Sequence, residues 1–105
     1  ITKEEPLPIS QYSSLGGTIG NRQVLHEPKS PEIELDKDIE IEVKFFVLPN
    51  GRVREVIPVI KGDTHLESIA IQYMKSWIFV PLPKNVEQVE QWGKLKIKFK
   101  KVTTN

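Results

Sequence analysis

The stretch Ile39-Glu40-Ile41-Glu42-Val43-Lys44-Phe45-Phe46-Val47-Leu48-Pro49-Asn50-Gly51-Arg52-Val53 decides the fold. Ile39, Ile41, Val43, Phe45 and Val47 alternate with Glu40, Glu42 and Lys44, which is the two-residue period of a strand with one buried face. Asn50-Gly51 after Pro49 marks a hairpin, because both residues tolerate positive φ. The returning run, residues 52–61, contains Pro58. Proline cannot donate to a ladder, so this strand is predicted to be an outer one or to bulge there.

The apolar period then changes. Leu66, Ile69, Ala70, Tyr73 and Trp77 recur at steps of three and four, as on the buried stripe of a helix. Gly62-Asp63 breaks the strand, and Thr64 with Glu67 has capping-box spacing, which predicts Thr64 as N-cap. Pro81 and Pro83 forbid continuation, so the helix should end near Ser76 or Trp77. Residues 84–91 are polar and read as a loop. Residues 94–102 alternate again, with Leu95, Ile97 and Phe99 against Lys94, Lys96, Lys98 and Lys100, and they form the last strand.

Charge predicts the sheet order. The exposed side of the first strand carries Glu40 and Glu42, and that of the last strand carries lysines. Opposite charges facing across a ladder contribute about 0.2 to 1 kcal/mol per pair. The first strand therefore belongs in the centre. The expected fold is α+β: a three-stranded antiparallel sheet of connectivity β-β-α-β and order 2-1-3, with one helix on its apolar face. Residues 21–26 could add a short N-terminal edge strand, and residues 32–38 could make a brief helical turn.

The chain has 105 residues and a net charge of +1, which fits one domain and gives no bulk attraction for nucleic acid or membrane. Residues 1–30 read as a linker and residues 31–105 as the domain. Pro6 and Pro8 favour extended chain, and the Gly16, Gly17, Gly20 region favours flexibility. A core of about 65 residues lies below the roughly 70 to 80 at which one core is comfortable alone. Added stability should come either from the N-terminal segment pairing with a sheet edge or from a second copy of the chain, as a homodimer through sheet edges.

No residue pattern marks catalysis. The serines lack an activating motif, and Gly16-Gly17-x-x-Gly20 lacks the strand-to-helix setting of a phosphate loop. Without cysteine, and with His26 and His65 far apart, the sequence offers no metal site. No enzyme, cofactor or metal is expected. The lysines of residues 94–101 can deter unwanted edge pairing and be neutralised by Glu40 and Glu42, or they can recruit an acidic partner segment. Nucleic acid would want interleaved exposed aromatics, whereas Phe99 falls on the buried side. Trp77 and Phe79 are predicted core residues. Trp92, just ahead of the last strand, fits packing and partner contact equally.

Several of these residues together resemble a known family. Pro31, the strand opening at Ile39-Glu40, the hairpin Asn50-Gly51-Arg52-Val53, the helix end Trp77-Ile78-Phe79-Val80-Pro81 and the final strand Leu95-Lys96-Ile97-Lys98-Phe99 resemble the C-terminal domain of TonB energy-transducing proteins. The resemblance spans residues 31–102. Ser30 stands where the family often has Tyr, Ser76 where it often has a basic residue, and Ile69, Ile71 and Tyr73 fill its Ala-rich helix positions, as in a divergent member.

The resemblance implies a periplasmic binding domain, anchored to the inner membrane by an N-terminal helix upstream of Ile1. It implies partners as well: an inner-membrane motor and a segment of an outer-membrane transporter, gripped by strand addition. By position, the partner-binding residues would be Lys94, Leu95, Lys96, Ile97, Lys98, Phe99, Lys100, Lys101 and Val102, with Trp92 beside them. A TolA-like envelope tether or a secretion-system scaffold using the same edge is the alternative.

Overall fold

The computed structural model describes residues 7–9, 16–29, 31, 33, 37–59 and 62–99. Six strands and one helix occur among them: β1 (Leu7–Pro8), β2 (Gln23–His26), β3 (Ile39–Val47), β4 (Val53–Pro58), α1 (Thr64–Lys75), β5 (Ile78–Phe79) and β6 (Gln91–Phe99). The main sheet is antiparallel with order β4-β3-β6, the order expected from charge. In its register Glu40 faces Lys98 and Glu42 faces Lys96. One face of the sheet is apolar and covered by α1. Val43, Phe45 and Val47 of β3, Val56 of β4 and Leu95, Ile97 and Phe99 of β6 are all buried there. Each such side chain stabilises the fold by about 1.5 to 3 kcal/mol.

The hairpin turns differently from a two-residue loop. Gly51 N–H donates to the Leu48 carbonyl and Leu48 N–H to the Arg52 carbonyl, and of Asn50 and Gly51 only Gly51 takes positive φ, at 95°. This is a four-residue turn closed by a left-handed glycine, a common three-residue hairpin form. Asn50 contributes its side chain instead, with Oδ1 accepting from Arg52 N–H at 2.9 Å. The bulge lies between Phe46 and Val47 rather than at Pro58, which ends β4 opposite Val43 on the outer side of the sheet. Residues 60 and 61, given to this strand from sequence, lie outside the described residues.

The helix start is also shifted. Asp63, not Thr64, is the N-cap: its Oδ1 accepts from His65 N–H at 2.9 Å and Leu66 N–H at 3.2 Å. Glu67 reaches back to Gly62 N–H, one position further than a capping box requires. The C-cap is Ser76, at the expected end. Leu66, Ala70 and Met74 are buried, and Ile69, Ile71 and Tyr73 pack against the core half-exposed.

Trp77 and Phe79 are core residues, 2% and 0% exposed. They begin a segment that the sequence did not reveal as a strand. β5 pairs with β2, and β2 with β1, in a second small antiparallel sheet. The short strand at residues 23–26 therefore exists, but it joins this second sheet instead of an edge of the main one. The expected helical turn at residues 32–38 falls largely outside the described residues.

The two sheets are joined into a hydrogen-bonded circuit around the hairpin end. Ile78 bridges to Arg52, and Phe79 N–H donates to the Gly51 carbonyl at 2.8 Å. On the far side, Ile19 N–H donates to the Trp92 carbonyl at 2.8 Å, and the chain then runs into β2. Ile9, Ile19 and Val24 fill the core inside this circuit. Gly51 is indispensable to it, since a Cβ there would sit 2.0 Å from the Phe79 carbonyl oxygen.

A candidate docking edge on the last strand

β6 begins at Gln91, three residues earlier than its alternation suggested, because Trp92 and Gly93 pair with Phe46 and Phe45 of β3. Gly93 leaves room there for Ile19 Cγ2 and the Phe45 ring; an added Cβ would lie 2.7 and 3.0 Å from them. Of the sequence-derived partner residues, Trp92, Lys94, Leu95, Lys96, Ile97, Lys98 and Phe99 lie on this one strand. Lys100, Lys101 and Val102 lie outside the described residues.

Backbone direction sorts these residues into two sets. In an antiparallel ladder successive residues point their N–H and C=O groups to opposite edges. Trp92 N–H donates to Thr18 Oγ1 at 2.9 Å and Lys94 N–H to the Gly16 carbonyl at 3.3 Å, so the even-numbered residues face away from β3. Leu95, Ile97 and Phe99 turn their backbone toward β3 and their side chains into the core. Lys96 and Lys98 turn theirs outward, and no described residue pairs with them there. The candidate edge is thus carried by lysine main chain, while the apolar side chains of the same strand are buried in the core.

Residues 16–19 occupy the start of this edge. Trp92 has both backbone groups engaged by Thr18 and Ile19, which removes it from the set able to accept a strand. Its ring instead lies on the solvent face of the sheet, where Lys44 Nζ sits 4.5 Å from its centroid and 5.3 Å from that of Phe46. The Arg54 guanidinium carbon also lies 5.3 Å from the Phe46 ring centroid. Arg54 also makes a bidentate pair with Glu90, at 2.7 and 3.0 Å. The Arg54 hydrogen bonds, aided by its charge, hold the Glu90 carboxyl below its ordinary range against an opposing desolvation.

Electrostatics along β6 is partly balanced. Lys96 Nζ lies 4.0 Å from Glu40 Oε2, a diagonal contact between exposed groups worth little by itself. Lys94 differs, since Lys44 rather than an acid stands opposite it.

Arg22 is the residue that sequence reading missed. It is 8% exposed, in a segment read as linker. Its Nε donates to the Val80 carbonyl, Nη1 to Gln91 Oε1, and Nη2 to the carbonyls of Leu48 and Pro49, all between 2.9 and 3.1 Å. One guanidinium thereby joins the hairpin loop, the segment after the helix and the first residue of β6. Burial lowers its pKa from the ordinary value. A cation in a Gly-rich stretch carries no sequence signal of burial.

The Gram-negative bacterial TonB protein C-terminal family matches residues 28–101. No curated protein and no solved structure matches the chain. The chain belongs to that family, whose members are non-enzymatic energy-transducing domains of the periplasm that engage outer-membrane transporters.

Proposed function

We propose that this domain grips a periplasmic segment of an outer-membrane transporter by adding it as a strand to the outer edge of β6. Through that grip it would pass on force from a proton-driven inner-membrane motor, to which an N-terminal anchoring helix would connect it. The observation that carries this reading is the outward main chain of Lys96 and Lys98, which offers donors and acceptors at a sheet edge within the family-matched region. Main-chain pairing supplies affinity in such docking, and alternate side chains supply specificity. A ladder pulled along its length loads its hydrogen bonds together, which suits a tether under tension.

The test is a titration of the isotope-labelled domain with peptides from the periplasmic segments of candidate transporters. Amide signals of residues 95–99 should move first and furthest. A response confined to another surface, with β6 silent, would refute strand addition.

A further inference from the structure

We propose that the groove flanked by segments 19–23 and 80–83 is a carboxylate site, where Arg22 receives a small acid with an apolar body. The inference is independent of strand docking at β6. The groove has a volume of about 310 Å³, near the lower limit of ligand sites. Its apolar lining comes from Ile19, Pro81, Leu82 and Pro83, and its polar lining includes Arg22 and Gln91. Segment 19–23 lies ahead of residue 28, where the family match starts, so the groove is not built by the matched region alone.

Arg22 is held here as a receptor rather than as a surface cation. It is 8% exposed, and its bonds to the carbonyls of Val80, Leu48 and Pro49 fix the plane of the guanidinium. Those bonds and the one to Gln91 Oε1 use four of its five N–H groups. The second hydrogen of Nη1 has no partner among the described residues. Gln91 is half used in the same way. Its Oε1 accepts from Nη1 at 3.1 Å, while neither hydrogen of its Nε2 is bonded among the described residues. Two donors on bonded neighbours, one of them cationic, are thus left over in the lining of one groove.

Charge points to the ligand. Among the described residues no acid bonds to Arg22, and burial is what moves its pKa, downward. A buried cation held by neutral acceptors lacks the counter-charge that would offset its desolvation. A carboxylate supplies it, with one oxygen accepting from Arg22 Nη1 and the other from Gln91 Nε2. Sulfate or phosphate brings more oxygens than these two donors satisfy, and Pro81 and Pro83 have no backbone N–H to add. Their rings, with Ile19 and Leu82, favour an alkyl tail instead.

Isocaproate and its neutral analogue isocaproamide test this on the intact chain by NMR titration. Isocaproate should move the Arg22 Nε–H signal and the amides of Val80, Leu82 and Gln91. It should bind about ten-fold more tightly than the amide, as one charge-assisted contact implies. Gln91→Glu keeps the shape but sets a carboxylate of the chain itself on Nη1. It should abolish isocaproate binding and raise the urea midpoint at neutral pH, a pair of effects that misfolding cannot produce. An N-acetylated dipeptide ending in a free leucine carboxylate distinguishes the source. Tighter binding than isocaproate assigns the site to a chain end, and weaker binding assigns it to a free acid.

Equal affinity for acid and amide would overturn the role of Arg22. So would unchanged isocaproate binding in Gln91→Glu, or sulfate binding as tightly as isocaproate. Shifts that are absent from the groove, or confined to Lys94, Lys96 and Lys98, would overturn the site itself.

Discussion

The Arg22 guanidinium donates through Nη2 to the carbonyl oxygen of Leu48 at 2.9 Å, across 26 residues of chain. With its other three bonds, this contact ties the hairpin loop to the segment that follows the helix. Among the described residues no acid bonds to it; the acceptors are neutral carbonyls and one amide. Replacing Arg22 by Met strands those carbonyls in a half-buried position, where each unmade bond carries a desolvation cost.

Arg22→Met should therefore destabilise the domain by about 2 to 4 kcal/mol. Arg22→Lys should recover little of this, because one ammonium cannot reach four acceptors spread over three segments in the plane that the guanidinium spans. Urea unfolding followed by Trp fluorescence would measure both. A loss below about 0.5 kcal/mol for Arg22→Met would show that the bonds are replaced by water.

Capping gives a sharper contrast between neighbours. Asp63→Ala should cost about 1 kcal/mol, the usual value for losing an N-cap acceptor. Thr64→Ala should change stability by less than about 0.5 kcal/mol, as at other exposed sites. The reverse order in thermal melts would return the cap to Thr64.

Proline substitution along β6 separates edge from ladder. Lys96 N–H faces away from β3, so Lys96→Pro should cost about 1 kcal/mol or less while abolishing a docking bond. Ile97 N–H faces β3, and Ile97→Pro should cost about 3 kcal/mol or more. If both variants unfold at the same urea concentration, the backbone alternation assigned here is wrong.

The Arg54–Glu90 pair has a pH signature. The folded-state pKa of Glu90 is depressed, so its contribution is complete above the ordinary value of 4.5 and fades as pH falls through the lower folded value. Carboxyl carbon shifts should titrate below that ordinary value in the native chain and at it in Arg54→Ala. A Glu90 titration unchanged by the substitution would rule out the pairing as its cause.

How far the sequence carried the structure depends on periodicity. β3, β4, α1 and β6 have enough residues to show a period, and matched charges such as Glu42 and Lys96 then set their order. β1 and β5 have two residues each and show none. Ile9 and Ile19 are isolated apolar residues among glycine, proline and serine, so their burial emerges only when segments distant in sequence meet. The cap was misplaced because Asp63 and Thr64 are both competent, and local geometry alone chooses between them. The residues proposed for docking were read onto a single strand, which the fold bears out as one element, whereas the pairing of Gly16–Ile19 with its start had no pattern to announce it.

The two indoles of the chain sit in opposite surroundings: Trp77 is enclosed, while Trp92 lies half-exposed under an ammonium group beside the proposed docking edge. Long-wavelength emission and its quenching by iodide should therefore come from Trp92 alone. The domain carries its own optical gauge for arrivals at that edge, with no label to attach.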